Sequence, residues 1–267
     1  MWRERRRQWQ DRAKLQAQAD LGACVMRSAA SLVAYDYQTR VVPGDFAFTN
    51  RADAQAAVDL GWRQGPGSFW FAGARAGTQV QATEPLAGYQ FEYSNNYWRL
   101  AAGWEGKPFE GTTVSVAAGP DFRDFTGHVD PTIFYGGRHR TSPWADAAVA
   151  SKLSPAVTLS GKATQSVFMS SVGRSAYIES CLESSLSWSA SPTWTWRVTG
   201  KVHRCHYYPL LRDDLESFVG AGASVKLSAN VTLNIDAFRH HAWNAVPGLS
   251  EREFGRNVFT VGAAERF

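Results

Sequence analysis

Three short phrases in this chain share one grammar: Leu-Ser-Pro-Ala-Val-Thr-Leu at 153–159, Ser-Ala-Ser-Pro-Thr-Trp-Thr-Trp at 189–196, and Leu-Ser-Ala-Asn-Val-Thr-Leu at 227–233. Each sets a tight turn between two runs of alternating side chains. Before the last turn, Val219, Ala221, Ala223, Val225 and Leu227 alternate with Gly220, Gly222, Ser224 and Lys226. After it, Val231, Leu233, Ile235 and Ala237 alternate with Thr232, Asn234 and Asp236. Period-two alternation on both sides of a tight turn specifies an antiparallel hairpin with one apolar face.

The same alternation recurs from Leu15 to Val25, from Ala54 to Trp62, from Trp70 to Ala76, from Trp98 to Trp104, from Ile178 to Trp188 and from Phe259 to the end of the chain. The polar phase is rich in Gly, Ser, Thr and Gln, with a modest number of charges of both signs. Such a face suits the wet interior of a barrel, where small residues leave room and opposite charges pair across the lumen. The apolar phase is mostly Ala, Val and Leu. Trp62 and Trp70 flank one expected turn, Tyr93 and Trp98 a second, and Trp188 and Trp194 a third. Aromatic rings at strand ends are what a membrane–water interface selects, because the ring is apolar while its N–H or O–H stays wet. These observations imply an all-β chain, a transmembrane up-and-down antiparallel β-barrel.

No stretch approaches the roughly 20 apolar residues of a membrane helix, and mean hydropathy is slightly negative. A barrel has this profile because only every second residue meets lipid. Met1–Gln18 carries Arg3, Arg5, Arg6, Arg7 and Arg12 and lacks the apolar core of a secretory signal. It reads as a chain with no export signal, its first residues (1–13) forming a solvated basic arm on the periplasmic side, followed by a single barrel domain over 14–267. The net charge of +4 on 267 residues demands no anionic partner, and no basic patch recurs downstream, so nucleic acid is not an expected partner. Cys24, Cys181 and Cys205 are too few and too scattered for a disulfide framework.

Turns expected near 64–67, 94–96, 123–131, 154–155, 190–192 and 228–230 alternate with longer connections near 27–53, 80–85, 105–111, 164–173, 205–216 and 242–252, plus a brief one at 141–143. The count is about fourteen strands, with twelve or sixteen also compatible. Ser31–Thr39 alternates too and could form an extra strand, but a fifteenth would put the two termini on opposite sides, so it is placed in the first long outer loop.

With this pattern laid out, the chain resembles a Gram-negative outer-membrane β-barrel protein of the porin-like type, from about Lys14 onward. The resemblance rests on the hairpins, the turn-flanking aromatics and the last strand. In that class the last strand ends in an aromatic residue, with apolar residues at every second position before it, and is read by the barrel-assembly machinery. Phe259, Val261, Ala263 and Phe267 match; Glu265 departs, since an apolar residue is usual there. The resemblance implies a lipid bilayer as the surrounding medium and the outer membrane as the location.

Candidates for chemistry are sparse. His139, Thr141 and Ser142 lie at the expected end of one strand, where an acyl hydrolase needs Ser and His within reach. Asp213 and Asp214 follow His203 and His206, as a protease with paired carboxylates would require. The run His203-Arg204-Cys205-His206 matches no structural zinc spacing, and His240-His241 is no stronger. The expectation is no enzyme, no metal and no cofactor.

What remains is a lumen. The polar phase places Arg75, Arg99, Lys152, Lys162, Arg197, Lys226 and Arg256 inward, against Asp59, Glu92, Asp146, Glu179, Glu183 and Asp236. About eight strands suffice for side chains to fill an interior, and fourteen leave space. The long first loop, with Asp45, Phe46 and Phe48, can fold inward as a constriction. The favoured reading is a passive channel or exporter for small polar solutes or saccharides. A structural barrel docking a periplasmic or surface partner comes second, and a loop-borne membrane hydrolase third.

Overall fold

The structure, a computed structural model, describes residues 7–38, 50–81, 93–126, 138–169, 176–208, 212–245 and 252–265. They form thirteen strands: β1 (Arg7–Leu21), β2 (Cys24–Gln38), β3 (Arg51–Gly65), β4 (Ser68–Gln81), β5 (Asn95–Phe109), β6 (Thr112–Phe125), β7 (His139–Ser154), β8 (Val157–Met169), β9 (Ala176–Ser189), β10 (Trp194–Tyr208), β11 (Asp213–Lys226), β12 (Val231–Ala245) and β13 (Arg252–Glu265). Each pairs antiparallel with its sequence neighbour, in the order β1 to β13. The all-β up-and-down architecture is therefore as the alternation required. Strands of 13 to 16 residues exceed the roughly 9–11 that cross a bilayer. Among the described residues no helix is long and apolar enough to cross a membrane.

Tight turns at 22–23, 66–67, 110–111 and 155–156, with slightly longer ones at 190–193 and 227–230, gather at one end of the sheet. Gly22, Gly67 and Gly111 take φ of 71°, 75° and 73° there, a region that only a residue without Cβ enters freely. The other end carries the connections 39–50, 82–94, 126–138, 170–175, 209–212 and 246–251.

The sheet curls strongly. Arg27 of β2 reaches Glu105 of β5 at 2.8 Å, and Arg123 of β6 donates to the Val167 carbonyl of β8 at 3.0 Å. Among the described residues β1 and β13 each pair on one side only. Thirteen being odd, these two strands run in the same direction.

Several boundaries differ from expectation. The described residues form thirteen strands, against about fourteen expected. Residues 31–38, expected in an outer loop, belong to β2, because the Gly22 turn closes a hairpin in which Ala30 faces Leu15 and Leu32 faces Ala13. The strand β1 begins at Arg7, inside the segment expected to be a basic arm, and starts at the end opposite the tight turns. Asn95 and Asn96 open β5 rather than forming a turn. Residues 141–143 continue β7: Pro143 sits opposite Pro120, a pair in which neither residue has an N–H to place. The connection at 105–111 shrinks to a two-residue turn, and the one near 123–131 is long.

Candidate functional site

Directly opposed residues in antiparallel strands share a face, so the register traces one face around the sheet. Asp59 opposes Gly73, Arg75 opposes Arg99, Arg99 opposes Asp121 and Ala117 opposes Asp146. The same face continues through Ala148 to Lys162, Lys162 to Glu183, Glu183 to Lys201, Arg197 to Gly222, Gly222 to Asp236 and His240 to Arg256. Lys152 and Asp146 share a phase in β7, Glu179 and Glu183 in β9, and Lys226 and Gly222 in β11. Every expected lumen residue that is described thus lies on a single face. Glu92 lies outside the described residues, as do Asp45, Phe46 and Phe48 of the expected constriction.

Along β3 to β7 this face is packed and paired. Asp121 is fully buried and takes Arg99 at 2.8 Å and Arg123 at 3.0 Å. Arg123 also donates to Gln79 at 2.7 Å and to Asn95 at 2.9 Å. Asp59 sits between Arg27 at 3.6 Å and Arg75 at 3.4 Å. The Arg75 guanidinium lies 4.9 Å from the centre of the Trp144 ring, and Trp144 packs with Phe71, Ala101 and Ala117. Burial favours such pairs only when each charge finds a partner, and here each carboxylate holds two guanidinium groups. Toward the tight turns the face opens into a polar cleft of about 560 Å³, lined by Lys14, Gln16, Arg27, Gln55, Asp59 and Arg75 among others.

Along β7 to β13 the inner face is wetter. Lys152, Lys162, Glu183, Lys226 and Arg256 are exposed, and Arg197 pairs with Asp236 at 2.5 Å. Nearer the longer connections, the register gathers Glu179, His203, Cys205, Glu216 and His240 on this face. His240 accepts from Arg256 Nε at 3.1 Å through Nδ1 and donates to Glu216 through Nε2 at 2.9 Å.

The opposite face is apolar and bare. Leu60, Leu100, Val116, Leu182, Leu186, Val198, Val202, Val219 and Ile235 are all exposed. Near the tight turns, Trp62 opposes Trp70, which opposes Trp104, and exposed Trp188, Trp194 and Trp196 continue the row. At the other end exposed Trp98 stacks on Phe122 at 3.9 Å. Tyr93 is corrected: only 1% exposed, it meets Phe125 edge-on and packs with Val167 and Ala176. It leaves the interfacial set because no turn forms at 94–96. Phe259 and Val261 are 78% and 72% exposed on β13, and Phe267 lies outside the described residues.

The candidates for hydrolysis come apart. His139 and Ser142, three residues apart in one strand, project from opposite faces, and His139 pairs with Asp124. His203 and His206 likewise diverge. His206 and Arg204 bind Asp213 at 3.0 and 3.1 Å on the outer face, while Asp214 turns inward to Arg212 at 2.5 Å. His241 faces outward to Glu253 at 2.7 Å.

A meander of long antiparallel strands with a polar, paired inner face and a bare apolar outer face is an outer-membrane β-barrel by fold. The apolar face makes the lipid bilayer its medium. Comparison with solved structures agrees. The chain matches the apoprotein form of the FrpB iron transporter from Neisseria meningitidis (F5-1 variant) at 9% identity and a TM-score of 0.54, over 89% of this chain and 44% of that one. The chain thus spans less than half the length of that barrel. It also matches OmpT of Vibrio cholerae at 8% identity, over 97% of this chain and 96% of the other, with a TM-score of 0.44. The copper transporter OprC matches at 10% identity over 96% and 57%, with a TM-score of 0.48. No protein-family model matches the chain. No curated protein matches it either.

The expectation that the chain is not an enzyme is corrected. The register brings two histidines and two glutamates together on the inner face, which reading adjacent residues did not reveal. That exclusion does not stand.

Proposed function

We propose that this barrel is a passive conduit in the outer membrane for small polar solutes or saccharides. The observation that carries the reading is the contrast within the inner face: buried ion pairs seal the β3–β7 wall, while Lys152, Lys162, Lys226 and Arg256 remain exposed along β7–β13. Thirteen strands also exceed the eight or so whose side chains fill an interior. The unburied charges on that wall lean positive, which raises the local concentration of anions over a screening length of about 10 Å at 0.1 M salt. The exposed Trp62, Trp70, Trp98, Trp188 and Trp194 act as the interfacial girdle. Phe259, Val261 and Phe267 present the last strand to the barrel-assembly machinery.

The test is recording in planar bilayers. The expected result is stepwise conductance with mild anion preference that fades as salt rises. Replacing Lys152, Lys162 and Lys226 together by glutamine shifts selectivity toward cations with the fold retained, because none of these side chains meets lipid. A protein that inserts but stays electrically silent at every voltage, with or without 39–50 shortened, overturns the channel reading; co-purification of a stable partner would then favour docking.

A further inference from the structure

We infer that the inner wall carries a binding site for a borderline divalent metal ion of the Zn²⁺ type, formed by His203 and Cys205 of β10 and Glu179 of β9. The inference is independent of whether the lumen conducts.

The ligand set arises from strand pairing. His203 and Cys205, two apart in β10, project from the same face. Glu179 is the direct partner of Cys205 across β9–β10, and Glu216 the direct partner of His203 across β10–β11. The His203 Nδ1 atom lies 3.8 Å from Glu179 Oε1 and 4.0 Å from Cys205 Sγ. All three ligand atoms fall within 4.8 Å of one another. Bonds of about 2.0–2.3 Å in a tetrahedral arrangement place ligand atoms about 3.3–3.8 Å apart, so small side-chain adjustments close the site. One nitrogen, one oxygen and one sulfur suit Zn²⁺ and its neighbours in the first transition row. They do not suit Mg²⁺ or Ca²⁺, which take oxygen ligands.

Two further observations point the same way. A metal-binding histidine generally gives its other ring nitrogen to a carboxylate, which fixes tautomer and ring orientation. Here His203 Nε2 lies 3.2 Å from Glu216 Oε2, yet it is buried without a well-directed hydrogen bond. Coordination at Nδ1 fixes the ring and gives that Nε2–H its acceptor. Glu216 is held in turn by His240, whose Nδ1 is already engaged by Arg256. The same chain of contacts explains why His203, and not His240, is the ligand. The thiol is buried while His203 and Glu179 remain in part open to the lumen, which leaves a fourth coordination position for water or an entering ligand. On binding, the Cys205 thiol releases its proton to water and the thiolate bonds the ion.

The test uses the full chain, refolded in detergent and stripped of metal, with Zn²⁺ titrated by calorimetry and Co²⁺ as the optical probe. The expected result is one Zn²⁺ per chain and a sulfur-to-metal charge-transfer band in the Co²⁺ form. Cys205→Ser removes the band, His203→Ala abolishes binding, and Cys24→Ser changes neither. Glu216→Gln, which acts only through His203, keeps the band but weakens binding by about 10–100-fold. Heat-shifted gel mobility establishes that each variant is folded. Absence of stoichiometric Zn²⁺ binding, or absence of the Co²⁺ band in the unmutated chain, overturns the site without reliance on any variant. A band that survives Cys205→Ser overturns the ligand assignment.

Discussion

Replacing Asp121 by alanine is expected to destabilise the barrel by about 3–5 kcal/mol, the cost of leaving buried charge without its partner. Asp121 is fully enclosed and holds both Arg99 and Arg123, so its removal strands two guanidinium groups on the packed β3–β7 wall. Urea unfolding from lipid vesicles, followed by tryptophan emission, measures the loss. Adding Arg123→Met to the same chain should recover part of it, since one buried cation is then absent and the two changes do not add. Equal or greater loss in the double variant would show that the network is not held by charge pairing.

Leu182→Arg is expected to cost about 2–4 kcal/mol, the penalty for a cation facing lipid near the bilayer midplane of a β-barrel. Leu182 is 61% exposed near the middle of β9, between Ala163 and Val202 on the outer face. On a water-facing surface the same change would be close to neutral. The adjacent Glu183→Gln should change stability little, because that side chain points to the lumen. The same unfolding assay separates the two outcomes: a harmless Leu182→Arg with a damaging Glu183→Gln would reverse inside and outside.

The phase of each strand was legible because lipid and lumen impose opposite demands on successive residues. Lys226 and Leu233, or Glu183 and Leu186, declare their faces without any knowledge of partners. Strand ends were less legible. The Gly22 turn is short and the alternation from Leu15 to Val25 runs through it, so the first hairpin reads as one strand and residues 31–38 are left to the loop that follows. The Asn95-Asn96 pair has turn propensity, but Asn95 is instead used by Arg123 on the inner wall. The His203 site was hidden for a different reason. A strand can slip by two residues and keep its phase, so sequence assigns Glu179, Cys205, Glu216 and His240 to one face without saying which of them meet. Only the register brings Glu179 to Cys205 and Glu216 to His203.

The claim on which everything else depends is that one face of this sheet meets lipid and the other meets water. A spin-label scan through residues 182–187 of β9, in a cysteine-free background reconstituted into vesicles, tests it directly. Labels at 182, 184 and 186 should collide with oxygen dissolved in the bilayer, and labels at 183, 185 and 187 with a water-soluble nickel chelate, in strict alternation. Collision with the nickel chelate at all six positions, or alternation in the opposite phase, would contradict the account.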